Sequence, residues 1–189
     1  MRALQRTWAY ARSSMYIIDM VAKGLTTLWL AAGAVVGTGV ALKIEMTAMP
    51  QLVAAFHSLV GLAAVMVASA AFYHPAAYGI VDAAGALKLS SRIEMSLGVV
   101  IGAITFSGSI VAFLKLQGLV SGNPVVFKGQ HFLNLILGLV IVGLIAAFAM
   151  GPSKEYFWAM TGLAFLIGFL IIIPIGGADM PVVGSMLNS

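Results

Sequence analysis

The sequence predicts an all-α protein, a polytopic bundle of transmembrane helices. Hydrophobic residues make up 61% of the 189 residues and charged residues only 8%, and the mean hydropathy is +1.07. A soluble domain carries roughly 25% charged residues. Five apolar runs each reach the length of about 20 residues that a helix needs to cross a bilayer. The period-two alternation of barrel strands is missing, so helices are the expected spanning element.

The five predicted spans follow a basic N-terminal stretch and are separated by short segments rich in glycine, proline or charge. A sixth helix is expected to begin at about residue 180, because Pro181 suits a first turn and Asp179 can cap it. This helix is truncated by the end of the chain at Ser189. The spans, which together make residues 24–189 one predicted transmembrane domain, are about 24–42, 51–73, 92–114, 131–150 and 156–174.

Residues 1–23 are basic and aromatic, and we expect them to lie at the membrane surface. A signal peptide is disfavoured, because the apolar run that follows is too long and lacks a convincing cleavage site. The net charge of +4 and the pI of about 9.6 indicate contact with anionic lipid rather than with nucleic acid. Cysteine is absent, which excludes a disulfide framework and a cysteine metal cluster, and no metal site is predicted.

One histidine, His57, lies inside the second apolar run with no other ionisable side chain from residue 51 to residue 72. An ionisable group in a bilayer needs a partner or a water path, so His57 is the first candidate for a functional residue. Small residues follow it on the same helix face at Gly61, Ala64 and Ala68, which predicts that this face points into the bundle. The alternative is a neutral core histidine that is permanently hydrogen-bonded.

The third span carries Gly98, Gly102, Thr105 and Ser109 at one-turn intervals, a face that is both small and hydrogen-bonding. Such a face can line a narrow hydrated path, although the same pattern is also an ordinary packing surface in membranes. Ser96 and Ser107 lie off this line. Glu94 stands near the start of the span, where a role as a helix cap and a role in proton relay are both open.

Two other kinds of site are disfavoured. The three glycines of the first span, at positions 33, 37 and 39, follow no strand, so they indicate helix packing rather than a nucleotide site. A bis-histidine haem would have to pair His57 with His131, which lies too close to a helix end to match its depth. His74 and His131 are expected at the interface. The turn from Pro174 to Pro181 contains Asp179, a carboxylate available to a partner.

Long ordered segments resemble the membrane domain of proton-translocating NAD(P) transhydrogenase, in its beta subunit. The two longest are Lys43 to Gly61, which reads KIEMTAMPQLVAAFHSLVG, and Ile175 to Pro181, which reads IGGADMP. The resemblance covers about residues 30–189 in one collinear order, which is more specific than a single short motif. Shorter matching stretches are Gly102 to Ser109, Lys115 to Gly118 and Ser185 to Ser189.

The resemblance implies that His57 is the protonatable group of a proton path and that Ser109 and Asn188 are its polar neighbours. We expect Thr105, Ser109 and Asn188 to organise water or hydrogen bonds along this path. It implies that Asp179 faces the NADP(H)-binding domain and helps couple proton movement to it. It also implies that NAD(H) and NADP(H) bind elsewhere in a dimeric complex, to other subunits or domains, and that this chain holds no cofactor. The membrane would be a bacterial or mitochondrial inner membrane.

The chain departs from the family at Leu114 and Gly184, and it lacks the NADP(H) domain, so we expect a fragment, a split subunit or a truncated reading frame. The positive-inside rule places the N-terminus inside, with seven Lys and Arg on that side and three on the other. The resemblance places Lys43, Lys115, Lys128 and Asp179 inside instead, and we follow it because residues 1–23 supply four of the seven charges.

The sequence is therefore interpreted as the proton-translocating membrane domain of a transhydrogenase, inactive in hydride transfer alone. The alternative from another class is a non-enzymatic packing or assembly subunit with a structural histidine. An independent ion channel is disfavoured, because the sequence offers no ring of charged residues that could act as a filter.

Overall fold

The computed structural model describes residues 24–45 and 48–179, and the predicted sixth helix and the basic N-terminal segment lie outside them. The chain divides into two compact units, residues 1–46 and residues 47–189. In the first unit the described residues form helix α1, Gly24–Lys43. The second unit contains helices α2 (Met49–Tyr73), α3 (Leu89–Leu116), α4 (Gln130–Met150) and α5 (Lys154–Ile172).

All five helices of the described residues are long and apolar enough to cross a membrane, which confirms the predicted all-helical fold. The helix ends follow local sequence signals. Pro50 lies in the first turn of α2, and Ser153 caps α5 by accepting a hydrogen bond from the Tyr156 N–H at 3.2 Å. Gly118 (φ +70°) and Gly129 (φ +86°) adopt left-handed backbone angles next to the end of α3 and the start of α4.

The segment between α2 and α3, predicted only as a polar connection, contains a 3-10 helix (Pro75–Tyr78) and a small hairpin. A single antiparallel bridge joins Val81 to Leu87, and the Asp82 carboxylate accepts hydrogen bonds from the backbone N–H groups of Ala84 and Ala86, both at 2.9 Å. Asp82 therefore organises the turn of this hairpin.

In the second unit α3 packs against α2, α4 and α5. The buried core includes three aromatic rings at the end where α2 finishes and α5 begins. Phe72 stacks on Phe157, with ring centroids 4.7 Å apart, and Phe148 lies 6.0 Å from Phe157. Phe148 and Phe157 are fully buried. Large apolar side chains elsewhere on the four helices are exposed, which suits a surface in contact with lipid.

Two glycines set the distance between α2 and α3. A methyl group at Gly61 would lie 2.6 Å from the backbone nitrogen of Phe106 and 2.7 Å from the carbonyl oxygen of Gly102. A methyl group at Gly102 would lie 2.8 Å from the carbonyl oxygen of Gly61 and 2.9 Å from the Cβ of Ala64. The two backbones are therefore in direct contact, as in membrane helix pairs built on small residues.

Candidate functional site: His57 and the joint between α2 and α3

His57 lies one helical turn before the glycine contact between α2 and α3. Its side chain is half-buried, and its ring Nδ1 is 3.0 Å from the carbonyl oxygen of Val53 in the same helix. Because a carbonyl oxygen only accepts, this contact requires that Nδ1 carries a hydrogen. The described residues provide no hydrogen bond for Nε2, so the neutral ring presents a lone pair that can take a proton.

The face of α2 that the sequence analysis singled out meets α3. Gly61 and Ala68 are buried, and the Ala64 Cβ lies beside Gly102. The buried positions of α2 also include Val65. The face of small residues after His57 thus points into the bundle, as their spacing predicted, and Gly61 and Ala64 pack on α3.

Two contacts fix the antiparallel register of α2 and α3, and this register sets the level of His57. The Gln51 Nε2 donates to the carbonyl oxygen of Leu116 at 3.1 Å, and Gly61 lies against Phe106. His57 is six residues beyond Gln51, about 9 Å along the helix axis. Six residues back from Leu116 along α3 is position 110. The neighbouring residue Ser109 therefore lies at about the same level along the helix axes as His57.

Thr105 and Ser109 are both half-buried on α3, and Thr105 stands about one turn from Ser109, near the level of Gly61. Within the part of the chain that the structure describes, no hydrogen bond joins either hydroxyl directly to His57. A bridging water can link polar groups that make no direct hydrogen bond. Asn188, the other predicted neighbour, lies outside the described residues.

The stripe of small residues on α3 is shorter than its sequence pattern suggests. A methyl group at Gly98 would meet nothing within 4 Å, so close packing on α2 involves Gly102 and not Gly98. Ser96 and Ser107, which lie off the stripe, are fully buried and donate to carbonyl oxygens of their own helix, Ile93 and Ala103, both at 2.9 Å. These two hydroxyls are satisfied locally.

Ser107 marks a second close contact that the sequence analysis missed. A methyl group at Gly168 of α5 would overlap the Ser107 Oγ, and a methyl group at Gly108 would lie 3.1 Å from the Ile172 side chain. The signal in the sequence was a small residue on each helix, Gly108 on α3 and Gly168 on α5. Because the two helices are far apart in the chain, nothing local showed that these glycines meet.

Glu94 does not cap its helix. The helix begins at Leu89 instead of residue 92, because Leu89 to Ser91 also join it, so Glu94 is its sixth residue. The first turn contains no acidic residue, and the N-cap residue, Lys88, makes no side-chain capping bond. The capping interpretation of Glu94 was therefore wrong, and its carboxylate is exposed.

Asp179 lies on a loop that packs on the segment between α3 and α4. The Gly177 N–H donates to the carbonyl oxygen of Gly122 at 2.8 Å, and the Val125 N–H donates to the carbonyl oxygen of Ile173 at 3.3 Å. The Asp179 side chain is exposed, and its backbone N–H donates to the Gly176 carbonyl oxygen at 3.1 Å. The loop thus presents a carboxylate on a backbone held by a neighbouring loop.

Amides and one lysine join helix ends at this same end of the second unit. The Gln117 Nε2 donates to the Gln51 Oε1 at 2.8 Å. Gln130, only 2% exposed, donates to the carbonyl oxygen of Leu170 at 3.0 Å. Lys115 donates to two backbone carbonyl oxygens that follow α5. The sequence analysis assigned no role to these side chains, and their only signal was a polar residue at the end of an apolar run.

The described residues show neither a cluster of metal ligands nor a phosphate-binding glycine loop. They contain no cluster of three histidine, cysteine or acidic residues placed to hold a metal ion. His131 is the second residue of α4, whereas His57 lies about 12 Å inside α2, so the two imidazoles differ in depth. Gly61 and Gly102 lie within helices and against other helices, and Gly33, Gly37 and Gly39 lie within α1, so these glycines form no phosphate-binding loop.

Comparisons with known proteins agree with one another. A family model described as NAD(P) transhydrogenase beta subunit matches residues 5–189. The protein named NAD(P) transhydrogenase subunit beta from Rhodospirillum rubrum is 59% identical over 162 residues, which cover 86% of this chain and 35% of that protein. The corresponding sequence from R. rubrum strain ATCC 11170 gives the same values. The chain therefore spans about a third of the length of the curated relatives that it matches.

Proposed function

The chain belongs to the NAD(P) transhydrogenase beta-subunit family, and on that basis we propose that its helices form part of the path that carries protons across the membrane. Family membership makes the chain part of the membrane component of this enzyme, which works with other subunits. In the proposal, proton passage is coupled to hydride transfer between NAD(H) and NADP(H). Both nucleotides are proposed to bind to other parts of the complete enzyme.

The observation that carries the proposal is the hydrogen bonding of the His57 ring. A half-buried imidazole donates through Nδ1 to the Val53 carbonyl, which fixes the ring while Nε2 keeps a lone pair. Imidazole can change charge near neutral pH, which carboxylates and lysines in ordinary surroundings do not. Nε2 is therefore proposed to take up the translocated proton and to release it again.

The hydroxyls of α3 are proposed to organise the water beside this ring. Ser109 lies at the level of His57, and Thr105 follows one turn away along the same face. Both are half-buried, so both combine access to water with a fixed position on the helix. Asn188 is proposed to complete the set from the segment beyond Asp179.

Asp179 is proposed to face the NADP(H)-binding domain of the complete enzyme. Its carboxylate is exposed and stands on the Gly176–Gly177 loop, which the loop after α3 holds in place. Glu94, exposed near the opposite end of α3, is proposed as a minor participant, since a carboxylate there can exchange protons with water. The complete enzyme is proposed to be dimeric and to lie in a bacterial or mitochondrial inner membrane.

A titration of His57 tests the proposal. In the assembled enzyme with ¹⁵N-labelled histidine, the His57 Nε2 resonance is expected to move from a neutral to a protonated shift between about pH 8 and about pH 5. The resonance is assigned by its loss in His57→Gln. The exposed His74 and His131, which lie at helix ends, serve as internal controls.

A His57 resonance that stays at the neutral shift throughout this range would contradict the proposal. It would favour the alternative of a packing or assembly subunit, in which the bond to Val53 makes the histidine a structural residue. A circular dichroism spectrum at each pH value checks that the protein remains folded.

A further inference from the structure

Lys115 is the most deeply buried charged side chain among the described residues. It lies in the last turn of α3 and is only 6% exposed. Its Nζ donates to the carbonyl oxygen of Ile173 at 2.6 Å and to that of Ile175 at 2.8 Å. Burying an ammonium group is unfavourable unless hydrogen bonds compensate, so a lysine in this position indicates a specific requirement.

Both acceptors lie where α5 ends and the loop carrying Asp179 begins. The last carbonyl groups of a helix have no partner within the helix and carry the negative end of its dipole, so a cation there is favoured. Ile175 lies just before the Gly176–Gly177 pair, and Gly177 rests on Gly122. One side chain of α3 thus holds the start of the loop.

A partly open cavity of about 340 Å³ lies beside this lysine, lined by Lys115, Ser121, Val125 and Ile173 among others. The loop after Ile173 therefore has space into which it can shift, and the two bonds from Lys115 are the polar contacts that keep Ile173 and Ile175 on α3.

We propose that Lys115 is a positioning residue that fixes the loop of Asp179 to the helix carrying Thr105 and Ser109. The inference rests on the proposed function, in which α3 lines the proton path and Asp179 faces the NADP(H) domain. Lys115 takes no part in proton transfer. Its role is to make the position of the Asp179 backbone depend on the position of α3.

Hydrogen exchange in the complete enzyme tests this inference directly. Lys115→Met keeps most of the side-chain volume and removes the donors. We expect exchange of the Gly177 and Val125 amides to rise by about tenfold or more, since both bonds depend on the loop position. Protons pumped per hydride transferred should fall by a similar factor. Lys115→Arg retains the charge and the donors, has room in the cavity, and should restore both values to within about twofold.

Arg92→Met is the matched control. Arg92 makes the same kind of contact at the opposite end of α3, donating to the carbonyl oxygens of Leu87 at 2.8 Å and Ala149 at 3.0 Å. Its removal should speed hydrogen exchange of the Lys88 amide, next to the hairpin. Exchange of the Gly177 amide and the number of protons pumped per hydride transferred should stay unchanged. A general loss of stability would instead speed hydrogen exchange at both ends of α3 in both variants.

Three results would overturn the inference. Unchanged exchange at Gly177 in Lys115→Met would show that the lysine does not hold the loop. Faster exchange with an unchanged pumping ratio would show that the loop position has no role in coupling. If the folded Lys115→Arg enzyme did not regain the wild-type number of protons pumped per hydride, holding the loop in position would not be sufficient for coupling. Failure of the proposed function itself is separate, because it appears in the His57 titration and leaves the exchange result intact.

Discussion

His57→Ala in the complete enzyme is expected to reduce coupled proton pumping by at least about 100-fold, since a positioned acid–base group contributes roughly 10²–10⁴ to a proton-transfer rate. Alanine removes the lone pair of Nε2 and leaves no group on α2 that can hold the proton at the level of Ser109. The nucleotide-binding parts should still fold and bind, because the proposal places them outside this bundle. Acidification inside sealed vesicles during hydride transfer is the measurement.

His74→Ala and His131→Ala are the matched controls for this change. Both histidines are exposed at helix ends, so their removal deletes the same side chain without reaching the joint between α2 and α3. Both variants should pump at close to the wild-type rate. Pumping by His57→Ala at the wild-type rate would refute the assignment of this residue.

Gly102→Ala is expected to destabilise the folded membrane unit by about 1–3 kcal/mol, the usual effect of adding a methyl group to a filled contact. The new methyl would meet the Gly61 backbone and the Ala64 Cβ, neither of which can move without shifting α2. Gly102→Leu should lower the yield of assembled enzyme further. Thermal unfolding in lipid nanodiscs measures the change.

Gly98→Ala provides the comparison on the same helix, one turn away. Nothing lies within 4 Å of a methyl group at Gly98, so this variant should unfold at the wild-type temperature or slightly above it. Gly61→Ala combined with Gly102→Ala should cost less than the two single changes added together, because one displaced helix relieves both contacts. Equal effects at positions 98 and 102 would contradict the described contact.

The helices were predictable because each apolar run had to cover a bilayer and each ended at a proline, a glycine or a charge. The start of α3 was placed three residues late, since Leu89 to Ser91 include two serines that read as part of a loop. That error made Glu94 look like a capping residue. A small shift of a boundary changed the chemistry assigned to one carboxylate.

The sequence also predicted which face of α2 points into the bundle, since Gly61, Ala64 and Ala68 fall on one side of a helix. The depth of Ser109 relative to His57 needed the structure, because the register depends on contacts such as Gln51 with Leu116. Lys115 could not be found in advance. Its carbonyl partners lie 58 and 60 residues away, and a lysine at a helix end is ordinary in a membrane protein.

The side chains that join one helix end to another in the second unit act on neutral acceptors. Gln51, Arg92, Lys115 and Gln130 each donate to a backbone carbonyl oxygen. Dissolved ions weaken attraction between exposed opposite charges, and they have little effect on short bonds to a buried carbonyl. The bundle should therefore keep its shape from dilute buffer to concentrated salt.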